Sequence, residues 1–177
     1  MRCFVGFFVP EAAKPALLGM QDALRELPVD CKYVEPENLH VCLSFLGELD
    51  DAAVADVSAK LEAVCSENTG FKLRVGDIKL IPSDSYVRVI VLDAHDDSGS
   101  LEKIAEAAKH GIGGDAKPPH ITLCRVRDVR DKQATVQKLK SLHAGLVEFG
   151  VGELTLIKSE LGRSGPVYSA VRSFKLK

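Results

Sequence analysis

Pro118-Pro119-His120-Ile121-Thr122-Leu123-Cys124-Arg125 decides how this chain is read, because the same order of residue types occurs earlier as Asn38-Leu39-His40-Val41-Cys42-Leu43-Ser44-Phe45. In each stretch a histidine opens an apolar run, a small polar residue stands two positions on, and a leucine follows. Strand side chains alternate between faces, and residues two apart share a face at a spacing of about 7 Å. Read as strands, one segment presents His120, Thr122 and Cys124 together and turns Ile121 and Leu123 inward. The other presents His40, Cys42 and Ser44 and turns Val41 and Leu43 inward. Each carries a polar ladder backed by an apolar one, which a strand buried on both faces does not need.

Working outward, the flanking patterns repeat as well. Arg2 to Phe8 reads as a strand by its aromatic and β-branched content, with Gly6 marking a close approach or a bend. Leu17, Met20, Leu24 and Leu27 fall at helical spacing, and Tyr33-Val34 reads as a short strand before Pro36. Asp50 is a helix N-cap ahead of the stripe Val54, Val57, Leu61 and Val64. Phe71 to Ile81 alternates, but its apolar parity switches between Val75 and Ile78, so Gly76-Asp77 reads as a bulge. After a Pro82-Ser83-Asp84 turn, Tyr86 to Leu92 is a strand, and Leu101, Ile104, Ala105 and Ala108 mark a helix. Residues 110–119 read as a loop delivering the second histidine strand. A helix starting near Asp128 to Arg130 carries Val136, Leu139 and Leu142 and ends at Gly145. Two long strands, Leu146 to Ile157 and Val167 to Leu176, close the chain around a 162–166 turn.

Each half therefore runs strand, helix, histidine strand, helix, with the two histidines 80 residues apart (120 − 40). The expected fold is α+β, a single bilobal domain over residues 1–177. Its two pseudo-symmetric lobes, about 1–75 and 76–150, are closed by a C-terminal hairpin at 146–177. Antiparallel sheets line a central cleft and helices lie outside. Under that symmetry the two polar ladders face one another.

Composition narrows the function. With 46% hydrophobic and 27% charged residues and a mean hydropathy near zero, the chain reads as an ordinary soluble domain. A net charge of −2 leaves no broad basic surface, so any nucleic acid would be held at one local spot such as an end. No apolar run reaches membrane-spanning length and the N-terminal residues do not form a signal peptide, which points to the cytoplasm. Five scattered cysteines without a C-x-x-C pair read as reduced thiols.

Two histidines across a cleft suit a reaction that removes one proton and supplies another, since an imidazole does both near neutral pH. Thr122 is placed to donate to an anionic oxygen held between the rings. The set fits in-line displacement at a phosphodiester, with one histidine activating water and the other protonating the leaving oxygen. No metal or other cofactor is required by that chemistry.

At these residues the sequence resembles the two-histidine phosphoesterases, whose paired motifs read His-x-Thr/Ser-hydrophobic; the nearest branch is similar to the prokaryotic RNA 2′,3′-cyclic phosphodiesterases, also called 2′-5′ RNA ligases. The resemblance extends to Arg2–Phe8, to Asn38-Leu39-His40 with Phe45-Leu46-Gly47-Glu48, to Tyr86-Val87-Arg88-Val89, to Arg125, and to Lys158-Ser159 with Gly165-Pro166-Val167-Tyr168, nearly the whole chain. It implies a bilobal fold around a water-filled cleft. It also implies hydrolysis of a 2′,3′-cyclic phosphate to a 2′-phosphate, with reversible 2′-5′ joining in some members. The implied substrates are RNA ends or nucleoside 2′,3′-cyclic phosphates; the sequence itself points to no protein partner, and a monomer is expected. His40 and His120 would be catalytic, with Thr122, Cys42, Arg125, Ser44 and Tyr168 binding substrate. Two departures stand out: Cys42 replaces the usual hydroxyl residue, and Ser44 stands where a lysine is common.

Other readings of the same residues stay open. His40, Cys42, His120 and Cys124 could form a His₂Cys₂ zinc site, or Cys42 could be a nucleophile beside a histidine. Arg125, one step past the ladder, points away from the cleft unless the strand bulges. Tyr168 shares a face with Arg172 and either stacks a base or simply fills space across the strands. A binding module that has lost turnover is the non-enzyme alternative. His95, His110 and His143 read as surface residues.

Overall fold

The computed structural model describes residues 1–116, 118–162 and 165–177. The first half holds β1 (Arg2–Phe8), α1 (Lys14–Arg25), β2 (Val29–Tyr33), a 3₁₀ turn at Pro36–Asn38, β3 (His40–Glu48) and α2 (Asp51–Glu67). Next come β4 (Phe71–Ser83), β5 (Tyr86–His95), α3 (Ser100–Gly111), β6 (Asp115–Ala116), β7 (His120–Val129) and α4 (Lys132–Ser141). The chain ends with β8 (Glu148–Val151), β9 (Glu153–Leu161) and β10 (Pro166–Lys175). Among the described residues no helix is long and apolar enough to cross a membrane.

One ten-stranded antiparallel sheet runs β10-β9-β1-β3-β7-β5-β4-β8, with β2 added to β7 and β6 added to β3. At its centre β3 and β7 meet at a single Cα pair, Val41 opposite Ile121, and then splay apart. The freed edges are taken up reciprocally. β2, from the first half, pairs with β7 from Val29–Val129 to Tyr33–Cys124, and β6, from the second, pairs with β3 at Ser44 and Phe45. Each half lends the other a strand.

The four α-helices among the described residues bury the stripes that their spacing predicts: Leu17, Met20 and Leu24 on α1, Val57 and Leu61 on α2, Leu101, Ile104 and Ala108 on α3, and Leu139 on α4. Truncating a fully buried leucine such as Leu61 to alanine costs about 2–5 kcal/mol. Asp50 caps α2 as expected, its Oδ1 accepting from the Ala53 amide at 2.8 Å.

The structure changes several boundaries. The single strand expected over 146–157 is two, because at Gly152 the chain leaves β4, β8's partner, and crosses to β1, β9's partner. The last helix starts at Lys132 rather than near Asp128, since β7 stays paired with β2 out to Val129. The loop at 110–119 contains β6, and β4 runs on to Ser83, opposite Tyr86. Of the expected 162–166 turn, residues 163 and 164 lie outside the described residues. The Gly76-Asp77 bulge is present, with the register shifting between Val75 and Ile78.

Candidate active site

The three-rung ladders expected on the two histidine strands are cut short by a bulge in each. On β7, Ile90 is opposite Cys124 and Val91 opposite Thr122, so Leu123 is an extra residue; on β3, Val5 is opposite Ser44 and Gly6 opposite Cys42, so Leu43 is extra. A bulge inverts the faces beyond it. Cys124 and Ser44 are therefore driven into the interior, both at 0% exposure. Ser44 donates its hydroxyl to the Gly113 carbonyl at 2.5 Å, so it is not presented to the cleft. Arg125 and Phe45 turn instead onto the faces of His120 and His40.

Gly6 makes the β3 bulge possible. A Cβ there would lie 2.1 Å from the Val41 carbonyl oxygen, so no other residue fits without moving the strand. The β7 bulge is held from α1. Gln21, only 3% exposed, donates its amide to the Leu123 carbonyl at 2.9 Å and to the Val34 carbonyl at 2.8 Å. The Val34 amide also donates to Leu123 at 2.9 Å.

The two histidines are held alike. His40 donates Nδ1–H to the Asn38 carbonyl at 2.6 Å, and His120 donates Nδ1–H to the Pro118 carbonyl at 2.7 Å. A carbonyl can only accept, so in each neutral ring the proton is on Nδ1 and Nε2 is left with its lone pair free. Carrying the Val41–Ile121 register one step each way sets His40 opposite Thr122 and Cys42 opposite His120. Burial, first of all, holds the His40 pKa below the usual imidazole value; the Asn38 carbonyl opposes this, and the charges of His120 and Arg125 add to it. Arg125 is thus within electrostatic reach of His40.

An aromatic wall closes the His40 end. The Tyr168 ring stands edge-on to His40 with centroids 4.8 Å apart and to Phe4 at 5.2 Å, and Phe4 lies 4.9 Å from His40. Burial raises the Tyr168 pKa, with Arg125 acting the other way. Asn38 ties this wall to the histidine: it accepts from the Tyr168 amide at 3.3 Å and donates to the Pro166 carbonyl at 2.9 Å, while its own carbonyl anchors His40. Nearby, the Arg2 guanidinium lies over the Phe45 ring at 5.0 Å.

Cys42 faces the cleft half-buried, and burial, with help from the Asp115 charge, pushes its thiol up to about 11. It is neutral near pH 7 and unsuited to nucleophilic attack. The zinc set is not assembled, because Cys124 lies inside, beneath the bulge, with its thiol engaged by Cys31. Among the described residues no three of His, Cys, Asp and Glu converge to hold a metal.

Sequence reasoning missed Gln21 and Asn38. Gln21 was visible as a polar residue on the apolar stripe of its helix. Asn38 stood beside the first motif in the resemblance, as Asn38-Leu39-His40, but no role was read for it.

The arrangement can hold an anion between Thr122, Arg125 and the two rings, and can take up and release one proton on opposite sides of it. A family model for LigT-like phosphoesterases matches residues 7–91 and 96–168, most of the chain, with one histidine strand in each matched stretch. The chain belongs to the LigT-like phosphoesterase family. It is 28% identical to the RNA 2′,3′-cyclic phosphodiesterase of Aquifex aeolicus, over 99% of this chain and 97% of that one. To the enzyme of the same name from Thermus thermophilus it is 30% identical, over 100% and 91%. A Thermus thermophilus crystal structure superposes with a TM-score of 0.80 at 26% identity, covering 99% of this chain and 98% of its own. The family's fold is also that of E. coli LigT in complex with 3′-AMP, at a TM-score of 0.75, 21% identity, and 99% and 96% coverage.

Proposed function

We propose that this protein hydrolyses 2′,3′-cyclic phosphates at RNA ends or on nucleosides to 2′-phosphates, without a metal. The observation that carries the proposal is the matched pair of imidazoles, each fixed through Nδ1 to the carbonyl two residues before it, which leaves Nε2 of each for proton transfer. His40, kept neutral by its burial, takes a proton from water as the water oxygen bonds to phosphorus. The P–O3′ bond breaks, and His120, entering the step as the imidazolium, gives its Nε2 proton to O3′. Thr122 and Arg125 hold the non-bridging oxygens as charge gathers there, and Cys42 adds a weak thiol donor. Tyr168, backed by the buried Phe4, offers aromatic surface to the base. With an RNA 5′-hydroxyl in the place of water, the same two proton transfers would form a 2′-5′ linkage. The names of the relatives at up to 30% identity support this reading.

The test is ³¹P NMR of the product formed from a nucleoside 2′,3′-cyclic phosphate in the presence of EDTA. A 2′-phosphate is expected, and His40→Ala and His120→Ala should each lower kcat by about 10²–10⁴. Binding without turnover would leave a nucleotide-binding module, and activity lost to EDTA would return a metal to the mechanism.

A further inference from the structure

On the face of the sheet that carries His120, a second concavity adjoins the cleft. Residues directly opposite in an antiparallel pair share a face. Thr122 is opposite Val91 and Val91 opposite Lys79, so these three form one row across β7, β5 and β4. Two strand spacings put Lys79 about 10 Å from Thr122. One row along, His120 is opposite Asp93, and beyond Asp93 lies the β4 bulge. Gly76 in that bulge opens the surface: a Cβ there would come within 3.0 Å of the Asp93 Cβ and 3.2 Å of the His95 ring. The result is a cavity of about 350 Å³ whose polar lining comprises Arg74, Asp77, Lys79, Asp93, His95 and His143.

These side chains are unequally committed. Arg74 is held by Glu148 at 3.0 Å and Asp97 at 2.9 Å, and Asp77 by His143 at 3.1 Å. Lys79 is exposed and makes no ion pair among the described residues. The cavity thus offers one available cation at its mouth. Within, carboxylates and imidazoles suit hydroxyls and base edges rather than a second phosphate. The Phe4 and Tyr168 rings pack at the His40 end, whereas on the His120 side the strand row continues through Asp93 into this cavity.

We propose that this cavity is a subsite for the penultimate nucleoside of an RNA chain, with Lys79 on the phosphodiester that joins it to the terminal nucleoside. The inference rests on the cyclic-phosphodiesterase reading and extends it: the substrate is an RNA end, and one nucleotide beyond the reacting one is recognised. The net charge of −2 agrees with so short a grip.

The experiment compares a nucleoside 2′,3′-cyclic phosphate with di- and trinucleotides ending in the same group. The dinucleotide should have a KM about tenfold lower, the size of one charge-assisted contact, and the trinucleotide should gain nothing more. Raising salt should erode the dinucleotide's advantage with a log–log slope near −0.7, that of a single phosphate contact. Lys79→Ala should abolish both the advantage and the slope and leave mononucleotide kinetics unchanged, and Lys79→Glu should make the dinucleotide the poorer substrate. Equal KM values in the wild type, or an advantage that survives both variants, overturns the subsite while leaving the proposed reaction intact. No turnover of any of the three overturns both.

Discussion

Replacing Gln21 with leucine tests whether a side chain outside the cleft holds the cleft-facing Arg125 in place. The amide makes a buried hydrogen bond to Leu123 at 2.9 Å and a part-buried one to Val34 at 2.8 Å. Leucine removes both. The Leu123 carbonyl keeps the Val34 amide, but the Val34 carbonyl loses the donor that Gln21 gave it. A net hydrogen bond contributes about 0.5–1.5 kcal/mol and an orphaned buried acceptor costs about 1–3 kcal/mol, so the expected destabilisation is about 2–3 kcal/mol. For a chain of 177 residues that is a Tm drop of about 5–10 °C by calorimetry. Because the Leu123 bulge turns Arg125 to the cleft, turnover per folded molecule should also fall, by about tenfold. Gln21→Glu keeps the shape without the N–H donors and should do no better. In an Arg125→Ala background the loss of activity should vanish while the loss of stability remains. If Gln21→Leu lowers Tm but leaves kcat per folded molecule untouched, the bulge holds itself and Gln21 is only a core residue.

Cys42→Thr should raise turnover of cyclic phosphates and Cys42→Ala lower it slightly, whereas Thr122→Ala should cost about 10²–10³ in kcat. A nucleophilic Cys42 would make both Cys42 variants dead. In kcat/KM against pH, the acid limb reports the base, which must be deprotonated. The His40 pKa is held down mainly by burial, so that limb should lie below the ordinary histidine value, with activity lost only as pH falls through the depressed pKa. Arg125→Ala removes one cause of the depression and should shift the limb upward; a limb that stays above the ordinary value would assign the base to another group. Asp50→Ala removes the cap on the Ala53 amide and should cost about 0.5–2 kcal/mol in urea unfolding with activity at low urea unchanged.

The paired motifs, the Asp50 cap and the Gly76-Asp77 bulge were legible in the sequence because each rests on local spacing. The bulges at Leu43 and Leu123 were not read, although β7 carries the same kind of signal: its apolar parity switches between Leu123 and Val126. Without it, regular alternation kept Cys124 and Ser44 in the cleft ladder and admitted Arg125 only on the condition of a bulge. The reciprocal loan of β2 and β6 is invisible in principle to local patterns, since a two-residue strand in a glycine-rich loop is defined only by a partner some 70 residues away (115 − 45). The division at Gly152 is also tertiary in origin. Nothing in the run from Glu148 to Leu161 marks where one partner strand ends and another begins.

β1 lies beneath the first histidine strand, yet its other neighbour is β9, with Phe4 opposite Ile157, 153 positions later (157 − 4). At translation rates of about 5–20 residues per second, that edge waits roughly 8–30 s after synthesis before its partner leaves the ribosome. Through that interval a strand bearing Phe4, Phe7 and Phe8 has an unpaired side, a template for mispairing with neighbouring nascent chains. The Pro166 and Tyr168 contacts that steady Asn38, and through it His40, arrive later still. Catalytic competence therefore waits on β10. A chain stalled or truncated before β10, however much secondary structure it has gained, should be inactive and dependent on chaperones, so yield of activity per chain becomes a direct gauge of synthesis through that strand.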